Sequence, residues 1–286
     1  AQPIRFPKTD GVKGYHDISP RMGAAYDLFG TGNTSLKVNL GKYLQTANND
    51  GTYIISNPTS SFQTDATRAW FDANGDKVVN CDPLNPSANG ECTAADLGNF
   101  GNPNVLTQVD PDVLSGWGVR SYDWTFGASV QQKVWPGASV EVGYHRRWFN
   151  NFFVTDNILI DADDFTRQTI NVPSHPRLPN GGSGQASYYQ LNPGVPTAFQ
   201  NRFAKAENYG DWTQYWHGID VVLNSRLRNG VSLQIGTSTG RGVQDNCEVV
   251  ARIPEMLNPG LTSTANPVTS VQQQVGSCDR AEKWQS

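Results

Sequence analysis

Oxygen-bearing side chains gather most densely in the run DANGDKVVNCD, where Asp72, Asn74 and Asp76 alternate around Gly75 and Asp82 follows. Carboxylate and amide oxygens at alternating positions, with a glycine at the bend, suit Ca²⁺, which takes about six to eight hard oxygen ligands. Asp72, Asn74, Asp76 and Asp82 are therefore candidate calcium ligands. Pro83 stands where an EF-hand places its closing Glu, and a cluster of Asx turns would use the same residues for purely local structure. A second acidic group, Asp161, Asp163 and Asp164 in IDADDF, lacks any sequence signal that sets two carboxylates across a cleft, as a glycosidase needs. His16, His145, His175 and His217 are scattered, with no positioned Ser or Cys nucleophile, no HExxH and no phosphate-cradling glycine loop. The chain is expected not to be an enzyme and to need no cofactor beyond that calcium.

Four cysteines fall as two local pairs, Cys81 with Cys92 and Cys247 with Cys278. Neither pair has CxxC spacing or a histidine cluster beside it, which argues against zinc. Both lie in polar, loop-like segments, so two disulfides formed in an oxidising compartment are the expectation. Free thiols are the alternative.

The chain has 286 residues and a net charge of −4, with only 17% charged residues and no basic run, so no nucleic-acid partner is expected. Abundant Gly and aromatic residues point to an all-β chain. No apolar run approaches the ~18 residues of a membrane helix, which leaves a membrane β-barrel open because its strands bury only alternate residues. The chain begins without Met at Ala1 and ends at RAEKWQS without a cap, which reads as a piece of something longer.

Period-2 alternation marks three hairpins, at about 18–44, 119–153 and 212–243. In the second, Trp124, Phe126, Ala128 and Val130 share one parity and Asp123, Thr125, Gly127, Ser129 and Gln131 the other. After the turn at Trp135–Ala138, Val140, Val142 and Tyr144 face one way and Glu141, Gly143, His145 and Arg147 the other. The turns are short: GTGN at Gly30–Asn33, Trp135–Ala138, and Arg228-Asn229-Gly230, whose Asn-Gly pair favours type I′. The connections at the opposite end, about 45–118, 154–211 and 244–279, are long, polar and without sustained period. The final residues open a candidate seventh strand.

Tiny turns at one end and long loops at the other fit an outer-membrane barrel. Trp124 and Trp135 bracket a strand that, at ~3.3 Å per residue and ~45° tilt, spans about 26 Å, against an apolar band of ~25 Å. Tyr43, Tyr122, Trp124, Trp148, Trp212, Tyr215 and Trp216 fall at the long-loop ends and Phe29 and Trp135 at the short-turn ends, as two interfacial girdles would. Arg146 shares the apolar parity and is tolerable only near the outer interface, where its cost falls to about 0–1 kcal/mol. His145 is expected to face a lumen and His217 the interface. The resulting fold class is all-β: an antiparallel up-and-down sheet, a partial transmembrane barrel of six to seven strands. A soluble β-sandwich or propeller with its aromatics in the core is the alternative.

The segments HDISPRMGAAYDLFGTGNTSLKVNLGKYL (His16–Leu44), SYDWTFGASVQQKV (Ser121–Val134), SVEVGYHRRWFNNFFVTDN (Ser139–Asn157) and NGVSLQIGTSTGRGVQDNCEV (Asn229–Val249) resemble the barrel of TonB-dependent outer-membrane receptors. The likeness is to the large members with an N-terminal carboxypeptidase-regulatory-like domain. That resemblance implies a barrel of about 22 strands around a plug. It also implies location in the bacterial outer membrane and uptake of a bound ligand driven by the inner-membrane TonB complex. The 286 residues hold neither plug nor the box that contacts that complex. The ligand, a siderophore, oligosaccharide or similar molecule, would meet the long loops and upper lumen, where Phe100, Tyr188, Tyr189 and Phe199 either stack on it or pack the loops together. A secreted soluble carbohydrate-binding or hydrolase domain, and a passive outer-membrane pore or adhesin, are the competing functions.

Overall fold

The computed structural model describes residues 14–47, 62–97, 100–102, 105–182, 184–227, 230–263 and 272–285. Contacts divide the chain into two units, one of Ala1–Gly11 and Asn48–Gln108, the other of Val12–Ala47 and Val109–Ser286.

In the second unit, β1 (Gly14–His16) pairs in parallel with β5 (Ser115–Trp117). β2 (Arg21–Asp27) and β3 (Thr34–Leu44) form the first hairpin. β4 (Thr107–Val109) and α1 (Pro111–Leu114) carry the chain out of the first unit. β6 (Tyr122–Trp135) and β7 (Ala138–Asn150) form the second hairpin, β12 (Thr213–Arg226) and β13 (Ser232–Asp245) the third. β14 (Asp279–Ala281) is the seventh strand that the final residues were expected to open. The seven run β14-β13-β12-β7-β6-β3-β2, each neighbouring pair antiparallel. Among the described residues β2 and β14 are edges, so the sheet they form is open and does not close into a barrel.

The short turns have local causes. After β2, the Asp27 carboxylate accepts hydrogen bonds from the backbone N–H of Gly32 at 2.6 Å and Phe29 at 3.4 Å. β6 and β7 are joined by Pro136-Gly137, with Gly137 at φ 88° and its Cα facing the Arg226 carbonyl so closely that a Cβ would stand 2.7 Å from that oxygen. Arg228 and Asn229 of the expected Asn-Gly turn lie outside the described residues.

Register sorts the side chains by parity. Leu36, Val130, Val142 and Val221 form one cross-strand row, and Val38, Ala128, Tyr144 and Ile219 the next. Several of these residues are exposed far beyond what a core would allow: Val130 is 45% accessible, Val142 47% and Ile219 40%. The opposite face carries Lys37, Ser129, Gly143, Asp220 and Ser238 in one row. A register shift between Lys133 and Trp135 sets Trp135 opposite Ala138, which has the parity of Val140 and Val142. A bulge changes the face a side chain meets. Trp135 therefore joins the apolar face even though it stands an odd number of residues from Trp124.

The packed core lies elsewhere. The connections at 154–211 and 244–279, which read as aperiodic loops, hold β8 (Phe153–Asn157), β9 (Phe165–Val172), β10 (Gly184–Leu191), β11 (Asn201–Lys205) and α2 (Cys247–Arg252). β9 pairs with β10 and β8 with β11. Val154, Ala206, Val249 and Ile253 form one buried cluster, capped by Phe152, Tyr209, Trp212 and Met256. Val250, Leu257, Val275 and Cys278 form a second, and Ile160, Phe165 and Leu261 a third. The sequence hides this core because its apolar residues come singly from separate segments and meet only through tertiary contact.

The described part of the first unit has little regular structure. Arg68 ties it together by donating to the carbonyls of Thr93, Asp82, Asn85 and Ser87.

Candidate functional site

Both expected disulfides are present, Cys81–Cys92 with Cα atoms 5.8 Å apart and Cys247–Cys278 at 4.9 Å. The first staples the acidic loop of the first unit. The second joins the start of α2 to the segment before β14, clamping the module described above.

In the acidic loop each candidate ligand is employed by the backbone. Asp72 accepts from the N–H of Gly75 at 2.8 Å and of Lys77 at 3.0 Å, and Asn74 from that of Asp76 at 2.9 Å. Asp76 accepts from Val78 N–H at 2.7 Å and from the amides of Asn80 and Asn74. The Val78 and Asn80 bonds hold its carboxyl below the usual range. Asp82 caps Leu84 at 2.9 Å. Glu91 braces the loop from across the disulfide, accepting from Trp70 Nε1 at 3.1 Å and Ala73 N–H at 3.0 Å, and its carboxyl too is held low, chiefly by Trp70. Among the described residues no three His, Cys, Asp or Glu side chains converge as a metal cage. The geometry is that of consecutive Asx turns.

The second acidic group and the loop aromatics have local structural partners. Asp161 and Asp164 form a capping box on a short 3-10 turn, so IDADDF is a helix start. Tyr189 packs into two of the three core clusters, whereas Phe100 is exposed.

The polar face of the sheet carries a ladder of ion pairs. Lys37 Nζ lies 3.2 Å from Glu141 Oε2, and Ser129 donates to Glu141 Oε1 at 2.7 Å. His145 Nε2 lies 3.2 Å from Asp220 Oδ2, whose other oxygen accepts from Ser238 at 2.6 Å. Arg147 grips Asp123 through two parallel bonds of 2.8 and 2.9 Å. The glycines of this face form the floor beneath two rings. A Cβ at Gly127 or Gly143 would come within 3.1 or 2.9 Å of the His145 ring. A Cβ at Gly218 or Gly240 would come within 2.6 or 2.5 Å of Trp216.

Three of the aromatics assigned to the outer girdle therefore sit elsewhere. Trp216 and Tyr43 have the polar parity, and Trp212 stacks on Phe152 at 4.5 Å beneath the module core. Tyr122, Trp124, Trp148 and Tyr215 keep the apolar parity, with Trp124 and Trp148 stacked at 6.4 Å. Cations accompany them: Lys42 Nζ stands 3.9 Å over the Tyr122 ring, and the Arg146 guanidinium 4.6 Å over Tyr215.

Sequence reasoning missed Glu255. It is 1% exposed between Pro254 and Met256, and burial pushes its carboxyl up to about 7. Asn157, fully buried, donates its backbone N–H to Glu255 Oε1 at 3.0 Å and its side-chain amide to the carbonyls of Leu261 and Ala198. An acidic residue inside the apolar run RIPEML was the available signal.

Comparison with family models, curated proteins and solved structures returns no match.

Proposed function

We propose that this chain is an arc of the barrel of a TonB-dependent outer-membrane receptor, with its apolar face against lipid and its polar face toward a lumen. The observation that carries the reading is the uncovered apolar face itself. From β2 to β13 it spans six strands at ~4.8 Å, about 24 Å across. Soluble monomers rarely expose a contiguous apolar patch beyond a few hundred Å². Strands of 14, 13, 14 and 14 residues in β6, β7, β12 and β13 exceed the ~9–11 that cross a bilayer with tilt. Interfacial aromatics bound the band at the long-loop end, and Trp135 and Phe29 stand exposed at the other. The resemblance of the hairpin segments to that receptor family supplies the name of the class.

In this reading the parent protein takes up a ligand across the outer membrane, and the chain itself performs no catalysis. The module built from the long connections and the ion-pair ladder on the polar face are the surfaces that ligand would meet. The inner-membrane TonB complex would act through a region outside these residues. A calcium ion in the Asp72–Asp82 loop remains a proposal of the sequence pattern alone.

The test is partition of the full chain between plain buffer and dodecyl maltoside micelles, with tryptophan fluorescence read against lipids brominated along the acyl chain. Strong quenching is expected, because Trp124, Trp135 and Trp148 share the apolar face. A chain that is monodisperse without detergent and unquenched would favour the soluble β-domain reading instead.

A further inference from the structure

The apolar face holds a feature that a plain lipid-facing surface does not need. Arg146 on β7, His217 on β12 and Arg241 on β13 stand in one cross-strand row. They follow Leu40 and Phe126 of β3 and β6, so half of this row is apolar and half is cationic or basic. The row lies two residues from the aromatic row of Trp124, Trp148 and Tyr215, a drop of about 5 Å at ~45° tilt.

Arg146 leans toward that aromatic row. Arg146 places its guanidinium 4.6 Å from the Tyr215 ring centre and 5.9 Å from that of Trp148. This is how a long cation carries its charge to an interface while its stem stays in apolar surroundings. Arg241 Nε donates to His217 Nε2 at 3.1 Å, which spends one of its five donor hydrogens. Among the described residues neither arginine has a carboxylate within 4.0 Å. Beside Arg146 a cleft of about 470 Å³ opens on the same end of the strands, walled by Phe126, Tyr144, Trp148, Trp212 and Tyr215. Asn150, Thr213 and Gln214 also line its wall, so aromatic faces, neutral polar groups and one cation converge there, which fits an amphiphile's glycerol or sugar backbone and the start of an acyl chain.

Two guanidinium groups on a lipid-facing surface, neither with a carboxylate partner among the described residues, are costly unless something anionic meets them. Arginine pairs bidentately with phosphate oxygens. We infer that Arg146 and Arg241 form a docking site for the phosphate of an outer-leaflet lipid, whose acyl chains lie on the Val and Ile rows below. The inference rests on the membrane reading, and it adds a defined lipid site to it.

Native mass spectrometry of the full chain in dodecyl maltoside, with diphosphoryl lipid A or diacylglycerol added at equal concentration, tests it. Retention of one lipid A per chain, at least about tenfold over diacylglycerol, is expected, and R146Q/R241Q should lose most of that preference. A variant that enters micelles normally, by the tryptophan quenching described above, excludes misfolding as the cause. Association with micelles but equal retention of both lipids, or a variant that keeps the preference, overturns the site alone. Failure to associate with micelles at all sinks the membrane reading and the site with it. Retention of inorganic phosphate as strongly as lipid A would also overturn it, by showing a plain anion site.

Discussion

The backbone N–H of Asn157 donates to Glu255 Oε1 at 3.0 Å inside the module built from the long connections, while no described residue hydrogen-bonds Glu255 Oε2. Burial is the main reason the Glu255 carboxyl titrates near 7, with the neighbouring Asp156 adding to it. Its ordinary value is 4.5, so the folded module binds this proton more tightly than the unfolded chain. The resulting stability is fully present below about pH 4.5 and is lost as pH rises through about 7. The loss is on the order of 3 kcal/mol. Asp156 is itself held by Tyr209, whose hydroxyl donates to it at 2.7 Å and whose own ionisation is pushed up by burial and by that bond. Hydrogen exchange in 153–157 and 247–261 should therefore quicken from pH 5 to pH 8 beyond the intrinsic chemical rate, and E255Q should flatten that difference. Equal protection at both pH values in the parent chain would contradict it.

Gly218 offers a test of the polar face. A Cβ there would meet the Trp216 ring at 2.6 Å and the Thr239 carbonyl oxygen at 2.7 Å, so moving the tryptophan alone does not relieve the clash. G218A should cost about 1–3 kcal/mol in unfolding free energy. G236A, on the same strand pair and with its nearest neighbour at 3.6 Å, should cost much less. Denaturant titration of both variants in the same detergent compares them directly.

How much of this was legible follows from range. The three hairpins, their parities and the Pro136-Gly137 turn were readable because alternation and turn chemistry act over a few residues. The placement of Trp216 and Tyr43 on the polar face was readable too, from parity, but position at a strand end masked it. Trp135 was legible only in part, since a bulge of one residue reverses its face and leaves no composition signal. The Asn157–Glu255 hub was hidden because its two partners are 98 residues apart and its surrounding apolar residues follow no period. The acidic loop carried two readings from its sequence, calcium ligands or a cluster of Asx turns, and its oxygens are engaged with the backbone around them.

The Arg147–Asp123 pair measures how polar that face is in its working surroundings. Both bonds are short; Asp123 is buried but the Arg147 side chain is half exposed, so water reaches the pair from the guanidinium side and screens it as it does a surface ion pair. A double-mutant cycle with R147Q and D123N should give a coupling of about 0.2–1 kcal/mol that falls with added salt. A coupling of several kcal/mol, insensitive to salt, would mean that the face is sealed from water, and an aqueous lumen would be the wrong description.

The Cys247–Cys278 bond closes a loop of 31 residues across the module, where Cys278 is buried with Val250, Leu257 and Val275. Removing it frees the chain between α2 and β14 in the unfolded state and loosens the second core cluster. C247S/C278S should lower module stability by about 2–4 kcal/mol, seen as faster proteolysis within 247–263. C81S/C92S should leave that cleavage rate unchanged, because its loop of 11 residues belongs to the other unit. The sheet should persist in both variants, since its ladder from β2 to β13 includes neither bond. Loss of the far-ultraviolet β signal on reducing Cys247–Cys278 would instead mean that the module holds the sheet together.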